Sequence, residues 1–89
     1  DAERWTRARL AEGFSIPDLA RALGTTSRTL ARRLARACGM SPIAFVNHIR
    51  REEAMRLLAA GSRFDQAAYA VGYSDPSALR RLLGRVRGR

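Results

Sequence analysis

Two clusters of arginine are the residues in this sequence whose type and spacing best suit chemistry with a partner. They are Arg28, Arg32 and Arg36 in one segment, and Arg80, Arg81 and Arg85 in a later one. Residues three or four apart lie on the same face of a helix. The planar guanidinium group matches phosphate oxygens and the O6 and N7 atoms of guanine. The two segments therefore predict arginine-bearing helix faces that bind an acidic partner.

The composition supports an acidic partner. The chain carries 17 basic and 8 acidic residues, for a net charge of +9, and every basic residue counted is arginine. Such a charge favours nucleic acid before a membrane surface. GC-rich coding also produces an all-arginine set, and a solvated surface is the alternative explanation of the charge. With 46% hydrophobic residues, the 89-residue chain has enough apolar area for a packed core.

Other kinds of site have little support. One cysteine, Cys38, excludes an internal disulfide and a cysteine-rich metal site, and we expect it to be buried as a small hydrophobic residue. His48 has no second histidine as a partner. Glu52 and Glu53 are expected to form surface ion pairs with the arginines around them. We therefore expect no enzyme, no metal and no cofactor.

The elements that position the first cluster can be predicted from capping signals. A first helix is expected over residues 1–12, with Trp5, Ala8 and Ala11 facing the core and Trp5 as its anchor. Ser15 and Asp18 form a capping box for a second helix that runs to residue 23. After a turn that contains a glycine, a third helix covers residues 27–38. Two helices joined by such a turn have the form of a helix-turn-helix.

A long helix should join this unit to a second one. Ser41 can cap it, Pro42 suits its first position, and nothing breaks a helix before Leu58. Its apolar residues spread around more than one side, which predicts that it packs against both halves of the chain.

The second half repeats the first. A helix from Phe64 to Val71 ends at Gly72, and Asp75 caps a last helix that starts at Pro76. Caps, core positions and glycines recur in register: Ile16, Ala20, Leu23, Gly24, Thr26, Leu30, Arg32, Leu34 and Gly39 correspond to Phe64, Ala68, Val71, Gly72, Asp75, Leu79, Arg81, Leu83 and Gly88. We predict an all-α fold with two helix-turn-helix units (residues 1–40 and 61–89), each like a three-helix homeodomain unit, and a linker helix (residues 41–60). The second unit should stop before its final helix.

Helical projection separates the packing faces from the exposed faces. On the third helix, the inward set is Leu30, Leu34 and Ala37, and the outward set is Arg28, Ala31, Arg32, Ala35 and Arg36. On the last helix, the inward set is Leu79, Leu82, Leu83 and Val86, and the outward set is Ser77, Arg80, Arg81 and Arg85. The second helix of each helix-turn-helix unit thus carries outward arginines. This arrangement suits contact with base edges in the major groove. Phosphate contacts are expected at Ser15, Thr26, Arg36, Ser62 and Arg85.

The sequence resembles the C-terminal DNA-binding domain of the AraC/XylS family of bacterial transcription regulators. The resemblance rests on Leu19-Ala20-x-x-Leu23-Gly24-x-Thr26-x-Arg28-Thr29-Leu30-x-Arg32-Arg33-Leu34, on Gly39-x-Ser41-Pro42-x-x-Phe45 with Arg50, Ala54, Leu57 and Leu58, and on Gly72-Tyr73 with Leu79-Arg80-Arg81. It implies sequence-specific binding of double-stranded DNA, with both recognition helices in successive major grooves of an operator that has two boxes about one helical turn apart. Carried over by position, the base-reading residues are Arg28, Ala31, Arg32, Pro76, Ser77, Arg80 and Arg81.

The resemblance also implies partners outside this sequence. RNA polymerase is one candidate. Because the sequence begins at Asp1, we expect it to be part of a longer protein with an N-terminal effector or dimerisation domain. The residues from Asp75 to Arg81 are most similar to members whose N-terminal domain resembles an amidotransferase. No apolar run approaches the roughly 20 residues of a membrane span. The single cysteine fits a reducing cytoplasm.

The second unit departs from the family pattern at several positions. Arg63 stands where a capping serine is expected, and Ala67, Leu79 and Leu83 stand where larger residues are usual. In the linker helix, Arg51 replaces a usual leucine. These departures predict a looser second core and weaker binding by the second unit. The alternative function is an arginine-rich helical module that binds an acidic protein or an anionic membrane surface. The sequence does not give the operator, the effector, the sign of regulation or the oligomeric state.

Overall fold

The computed structural model describes residues 1–87 and places them in six α-helices, with no strand among these residues. They are α1 (Ala2–Arg9), α2 (Ile16–Ala22), α3 (Ser27–Cys38), α4 (Pro42–Ala59), α5 (Phe64–Ala70) and α6 (Pro76–Arg87). The predicted all-α class is confirmed. The pairs α2–α3 and α5–α6 are the two helix-turn-helix motifs, and α4 is the linker helix between them. Gly88, the predicted counterpart of Gly39, lies outside the described residues.

Local hydrogen bonds fix the helix starts, as the sequence predicts. The Ser15 hydroxyl accepts from the Asp18 N–H at 3.1 Å, and the Asp18 carboxylate accepts from the Ser15 N–H at 3.0 Å. Thr26 and Ser41 cap α3 and α4 in the same way, each at 3.1 Å from the N–H three residues later. Each such cap contributes about 1 kcal/mol. The predicted capping box and both later caps are therefore confirmed.

The predicted core face of α1 is wrong except at its anchor. Trp5 is half-buried and its ring meets the Phe14 ring edge-on, with centroids 4.9 Å apart. Ala8 and Ala11 are exposed, whereas Thr6 and Leu10 are buried. The helix ends at Arg9 instead of Glu12, so Ala11 never joins it. A buried threonine is not expected from composition, because its hydroxyl counts as polar.

The linker helix α4 packs into two hydrophobic cores. The first core contains Leu19, Ala20, Leu30, Leu34 and Val46. The second core contains Leu10, Ile49, Ala54, Ala67, Ala68, Val71, Leu79 and Leu82. Phe45 of α4 packs against both cores. The prediction that α4 packs against both halves is confirmed, and the small Ala67 is fully buried where the sequence suggested a looser core.

The two units also meet directly at a junction. Leu10 follows α1 of the first unit, yet it belongs to the second core. A Cβ atom built on Gly72 would lie 2.3 Å from the Leu10 carbonyl oxygen. The Arg50 guanidinium lies 5.4 Å from the centre of the Tyr73 ring and donates to the Asn47 side chain at 3.1 Å. The end of α1, the middle of α4 and the α5–α6 turn are therefore locked together.

Ion pairs connect α1 to α4 on the surface. Arg7 donates to Glu52 at 2.7 Å, and His48 lies 3.2 Å from the same carboxylate. The hydrogen bond from Arg7 is the main cause that lowers the pKa of Glu52. Glu53 pairs with Arg56, as predicted. Glu52 pairs with an arginine on another helix, which helical spacing does not show. Such exposed pairs contribute little to stability because water and salt screen them.

Two predictions for the end of α3 are wrong. Ala37 was expected to face inward and Cys38 to be buried, but both are exposed. Leu34 is the last buried residue of α3, so its final turn extends past the first core. The Cys38 thiol donates to the Leu34 carbonyl at 3.2 Å instead of packing against apolar groups.

The junction gives a prediction with a matched control. Gly72 and Gly61 have nearly equal positive φ angles, +102° and +101°, but only Gly72 faces another backbone atom; nothing lies within 4 Å of a Cβ on Gly61. Gly61→Ala should lower the free energy of unfolding by about 1–2 kcal/mol through backbone strain. Gly72→Ala should cost a further 1–3 kcal/mol or so, because the new methyl group overlaps the Leu10 carbonyl. Chemical denaturation measures both, and equal losses would contradict a close junction.

Candidate nucleic-acid interface

The outward face of α3 carries three exposed cations. They are Arg28, Arg32 and Arg36, and none of them forms an ion pair or a side-chain hydrogen bond with the side chains described for residues 1–84. Ala31 is half-buried between Arg28 and Arg32. The inward residues Leu30 and Leu34 are buried in the first core. The predicted exposed face is confirmed, and its guanidinium groups are available to an external acceptor.

The N-terminus of α3 adds hydrogen-bond donors beside these arginines. Thr26 uses its hydroxyl to accept from the Thr29 N–H, which leaves the first-turn N–H groups of Ser27 and Arg28 outside the helix ladder. First-turn N–H groups and the positive end of the helix dipole suit an anion. This geometry supports Thr26 as a position near a phosphate, though the contact itself stays a prediction.

An apolar cleft lies beside the start of α3. Its volume is about 500 Å³, and its lining includes Ile16, Pro17, Arg28, Ala31, Pro42 and Ile43. The Ile43 side chain is 65% exposed at the rim. The cleft places apolar surface next to Arg28, so this edge of α3 offers methyl groups as well as charge.

The residues on the outward face of α6 differ more in exposure than those on α3. Arg80 and Arg81 are exposed, whereas Pro76 and Ser77 are half-buried at the first turn. Leu79 and Leu82 are buried and Leu83 packs at the edge of the second core, as predicted. The Arg80 guanidinium lies over the Phe64 ring, 5.3 Å from its centre. The side chains of Arg85 and Val86 lie outside the described residues.

Asp75 places a negative charge at the start of α6. Its carboxylate accepts from the Ser77 N–H at 2.9 Å, which confirms the predicted cap. Hydrogen bonds from the Ser77 backbone and hydroxyl lower the pKa of Asp75, and the nearby Arg81 and Arg80 lower it further. The cap of α6 is therefore ionised at neutral pH, whereas the equivalent cap of α3, Thr26, is neutral.

The two serines predicted at phosphate positions differ from Thr26. The Ser15 N–H and hydroxyl are both occupied by Asp18, and hydrogen bonds from Ser15 lower the pKa of that carboxyl, so an anion sits at the start of α2. The Ser62 N–H donates to the Leu57 carbonyl at 3.0 Å and helps to end α4. Arg63 precedes α5 and makes no capping bond. This geometry offers little support for Ser15 and Ser62, and their contacts stay predictions.

Sequence reasoning missed two residues at this surface. Phe64 was assigned only as a repeat of Ile16, and its ring contact with Arg80 depends on how α5 and α6 pack. Ile43 was assigned to a helix without a role, but it forms the rim of the cleft. The sequence contained a signal for the contact between Phe64 and Arg80. The repeat register aligns Phe64 with Ile16 and Arg80 with Ala31, and Ile16 and Ala31 line the same cleft in the first unit.

Comparison with known proteins decides the family. A family model described as a helix-turn-helix domain matches residues 19–89, which is most of the chain. The chain belongs to the AraC-type helix-turn-helix family. The domain binds DNA as part of a transcriptional regulator. The acidic-protein and membrane alternative is not favoured.

A solved relative supports the fold of this AraC-type domain. It is the crystal structure of a transcriptional regulator from Chromobacterium violaceum, of the AraC-type DNA-binding domain-containing proteins. The TM-score is 0.87 and the identity is 24%, over 99% of this chain and 80% of that chain. A search of curated proteins found no match. None of the helices in the described residues is long and apolar enough to cross a membrane. Within the same residues there is no group of three or more His, Cys, Asp or Glu side chains that could hold a metal.

The ionised cap of α6 gives a prediction for this AraC-type domain. Asp75→Asn keeps a side-chain oxygen to cap the helix and removes a negative charge from the start of α6. We expect duplex DNA to bind about 2- to 5-fold more tightly at low salt, with the gain lost at high salt because of screening. Since the pKa of Asp75 is lowered, the gain should stay constant across neutral pH.

The reciprocal variant is Thr26→Asp, which places the same charge at the start of α3 and should weaken binding. Fluorescence anisotropy with one labelled duplex measures both variants. If Asp75→Asn instead weakened binding and changed the preference at one base pair, Asp75 would be accepting a hydrogen bond from a base.

Proposed function

We propose that this domain reads a two-box operator, with α3 in one major groove and α6 in the next. The observation that carries the proposal is the packing of both recognition helices on the same 18-residue helix, α4. Helix α3 packs on α4 through the first core, which includes Val46, and α6 packs through the second core, which includes Ile49 and Ala54. The two helices thus hold fixed positions relative to one another.

The size of the domain supports this spacing. Its longest dimension is 37 Å, and one turn of B-DNA spans about 34–36 Å. An 18-residue helix extends about 27 Å at 1.5 Å per residue, and both cores pack against it. The boxes should therefore be centred about 10 base pairs apart on one side of the duplex.

We propose Arg28 and Arg32 as the principal base readers of the first box, with Ala31 contributing a methyl contact. Both arginines are exposed near the start of α3, and among the side chains of residues 1–84 none forms a hydrogen bond or ion pair with either of them. A bidentate arginine discriminates guanine from other bases by about 1–3 kcal/mol. In the second box, Arg81 holds the position equivalent to Arg32, and Pro76 and Ser77 flank the edge of α6. Arg36 and Arg85 are proposed phosphate contacts.

The wider role follows from the family and stays a proposal. We propose that the domain is the output module of a bacterial regulator that works in the cytoplasm, where the chromosome lies. A separate N-terminal domain would sense an effector or form dimers, and RNA polymerase is the proposed downstream partner.

The first test is selection of bound duplexes from a random DNA pool, with the affinity of the selected sequences followed against salt. We expect a steep salt slope and an enriched motif in two boxes about 10 base pairs apart. One enriched box would mean that only one unit reads sequence. A salt slope without any motif would overturn sequence-specific binding and leave a general surface for polyanions.

Arginine variants then assign the boxes. Arg32→Ala should relax the base preference at one position of one box by about 1–3 kcal/mol, and Arg81→Ala should do so about a helical turn away. Arg33→Ala is the matched control, because Arg33 is exposed on α3 about 100° around the helix from Arg32. It should weaken all sequences slightly and equally. If Arg32→Ala behaved like this control, Arg32 would be a phosphate contact.

A further inference from the structure

The two adjacent arginines of α6 are held differently. The Arg80 guanidinium lies 5.3 Å from the centre of the Phe64 ring, within the range of a cation–π contact. Phe64 is the first residue of α5 and packs against the second core, so its ring is fixed. Arg80 is therefore drawn from α6 toward the start of α5.

Arg81 has no comparable anchor. It is exposed, and it makes no ion pair, side-chain hydrogen bond or ring contact with the side chains that the structure describes, those of residues 1–84. It lies about 100° further around α6 than Arg80. The neighbouring arginines thus point to different parts of any ligand that approaches this face.

The direction of Arg80 determines what it meets on DNA. In a helix-turn-helix, the second helix enters the major groove while the first helix crosses the sugar-phosphate backbone. A guanidinium held over the start of α5 lies on the backbone side. The ring contact is made at 5.3 Å and uses no N–H group as a hydrogen-bond donor, so the guanidinium can still donate to a phosphate in bidentate fashion.

We propose that Arg80 is a phosphate contact positioned by Phe64, and that Arg81 alone of the pair reads a base. The proposal rests on the DNA-binding function above. It differs from the prediction by family position, which placed both arginines at base edges. Phe64 is a positioning residue, since it acts through Arg80.

The first unit has no equivalent of the contact between Arg80 and the Phe64 ring. The repeat register places Ile16 and Ala31 where the second unit has Phe64 and Arg80. These two residues line the apolar cleft beside α3, so the equivalent space holds methyl groups and no stacked cation. The two units therefore meet the backbone with different chemistry, and the second has a phosphate anchor of its own.

The decisive experiment compares Arg80→Ala with Arg81→Ala on selected duplexes and on single-base variants of the second box. Arg80→Ala should weaken every sequence by the same factor and reduce the salt slope by about 0.9, the value for one lost phosphate contact. Arg81→Ala should weaken the preferred sequence about 5- to 150-fold more than its mismatched variants. A changed base preference in Arg80→Ala, or no change in binding at all, would overturn the assignment. If the unmodified domain bound no duplex, the proposed function itself would fail.

The role of Phe64 needs a separate readout. In a Phe64→Leu background, Arg80→Ala should lose less affinity than it does in the unmodified domain, because the guanidinium is no longer held. Phe64→Tyr keeps the ring face and should restore the full loss. Circular dichroism confirms that each variant is folded. If Phe64→Leu does not fold, the cycle uses Phe64→Ile with Arg80→Ala, because isoleucine lacks the ring and is the residue at the equivalent position of the first unit, Ile16. Additive losses in either cycle would exclude a positioning role for Phe64.

Discussion

The rest of the structure depends on one helix that two hydrophobic cores share. Helix α4 buries Val46 in the first core and Ile49 and Ala54 in the second, with Phe45 against both. Displacing α4 would therefore expose apolar residues of both cores to water. Each unit is therefore stabilised by the same element that fixes the position of the other.

The junction beside α4 removes the freedom that a shared helix alone would leave. Leu10 reaches from the end of α1 into the second core, and its carbonyl abuts Gly72 with no room for a side chain. Arg50 fills the adjacent space against Tyr73. Packed contacts of this kind behave as discrete arrangements rather than as a continuous hinge. For a protein that reads two grooves, a fixed arrangement means that the spacing of the boxes is set by the fold.

The sequence was sufficient wherever a structural feature depends on nearby residues. The capping box of Ser15 and Asp18, the caps Thr26, Ser41 and Asp75, and the turns between helices were all predicted, because their hydrogen bonds span three residues or fewer. Periodicity also separated Leu30 and Leu34 from the arginines of α3.

The sequence was insufficient where tertiary packing determines which residues are buried and which pair with one another. The burial of Thr6 and Leu10, and the exposure of Ala37 and Cys38, depend on where α1 and α3 end relative to α4. The pairing of Arg7 with Glu52 joins two helices and has no signal in helical spacing. At the interface, the sequence predicted which arginines face outward, but the difference between Arg80 and Arg81 comes from the ring of another helix.

The two units differ in the charge at the start of their recognition helices. The fixed junction nevertheless allows both units to act on one DNA molecule. Helix α3 starts with a neutral cap and carries the exposed Arg28, Arg32 and Arg36, which form no ion pair in the part of the chain whose side chains are described. Helix α6 starts with an ionised cap at Asp75. In the proposed two-box mode, binding of the first unit brings α6 close to the second groove, because α4 holds both helices, and the second contact then forms intramolecularly at high effective concentration. A second unit of low affinity can then add sequence specificity, even if it would not bind DNA on its own.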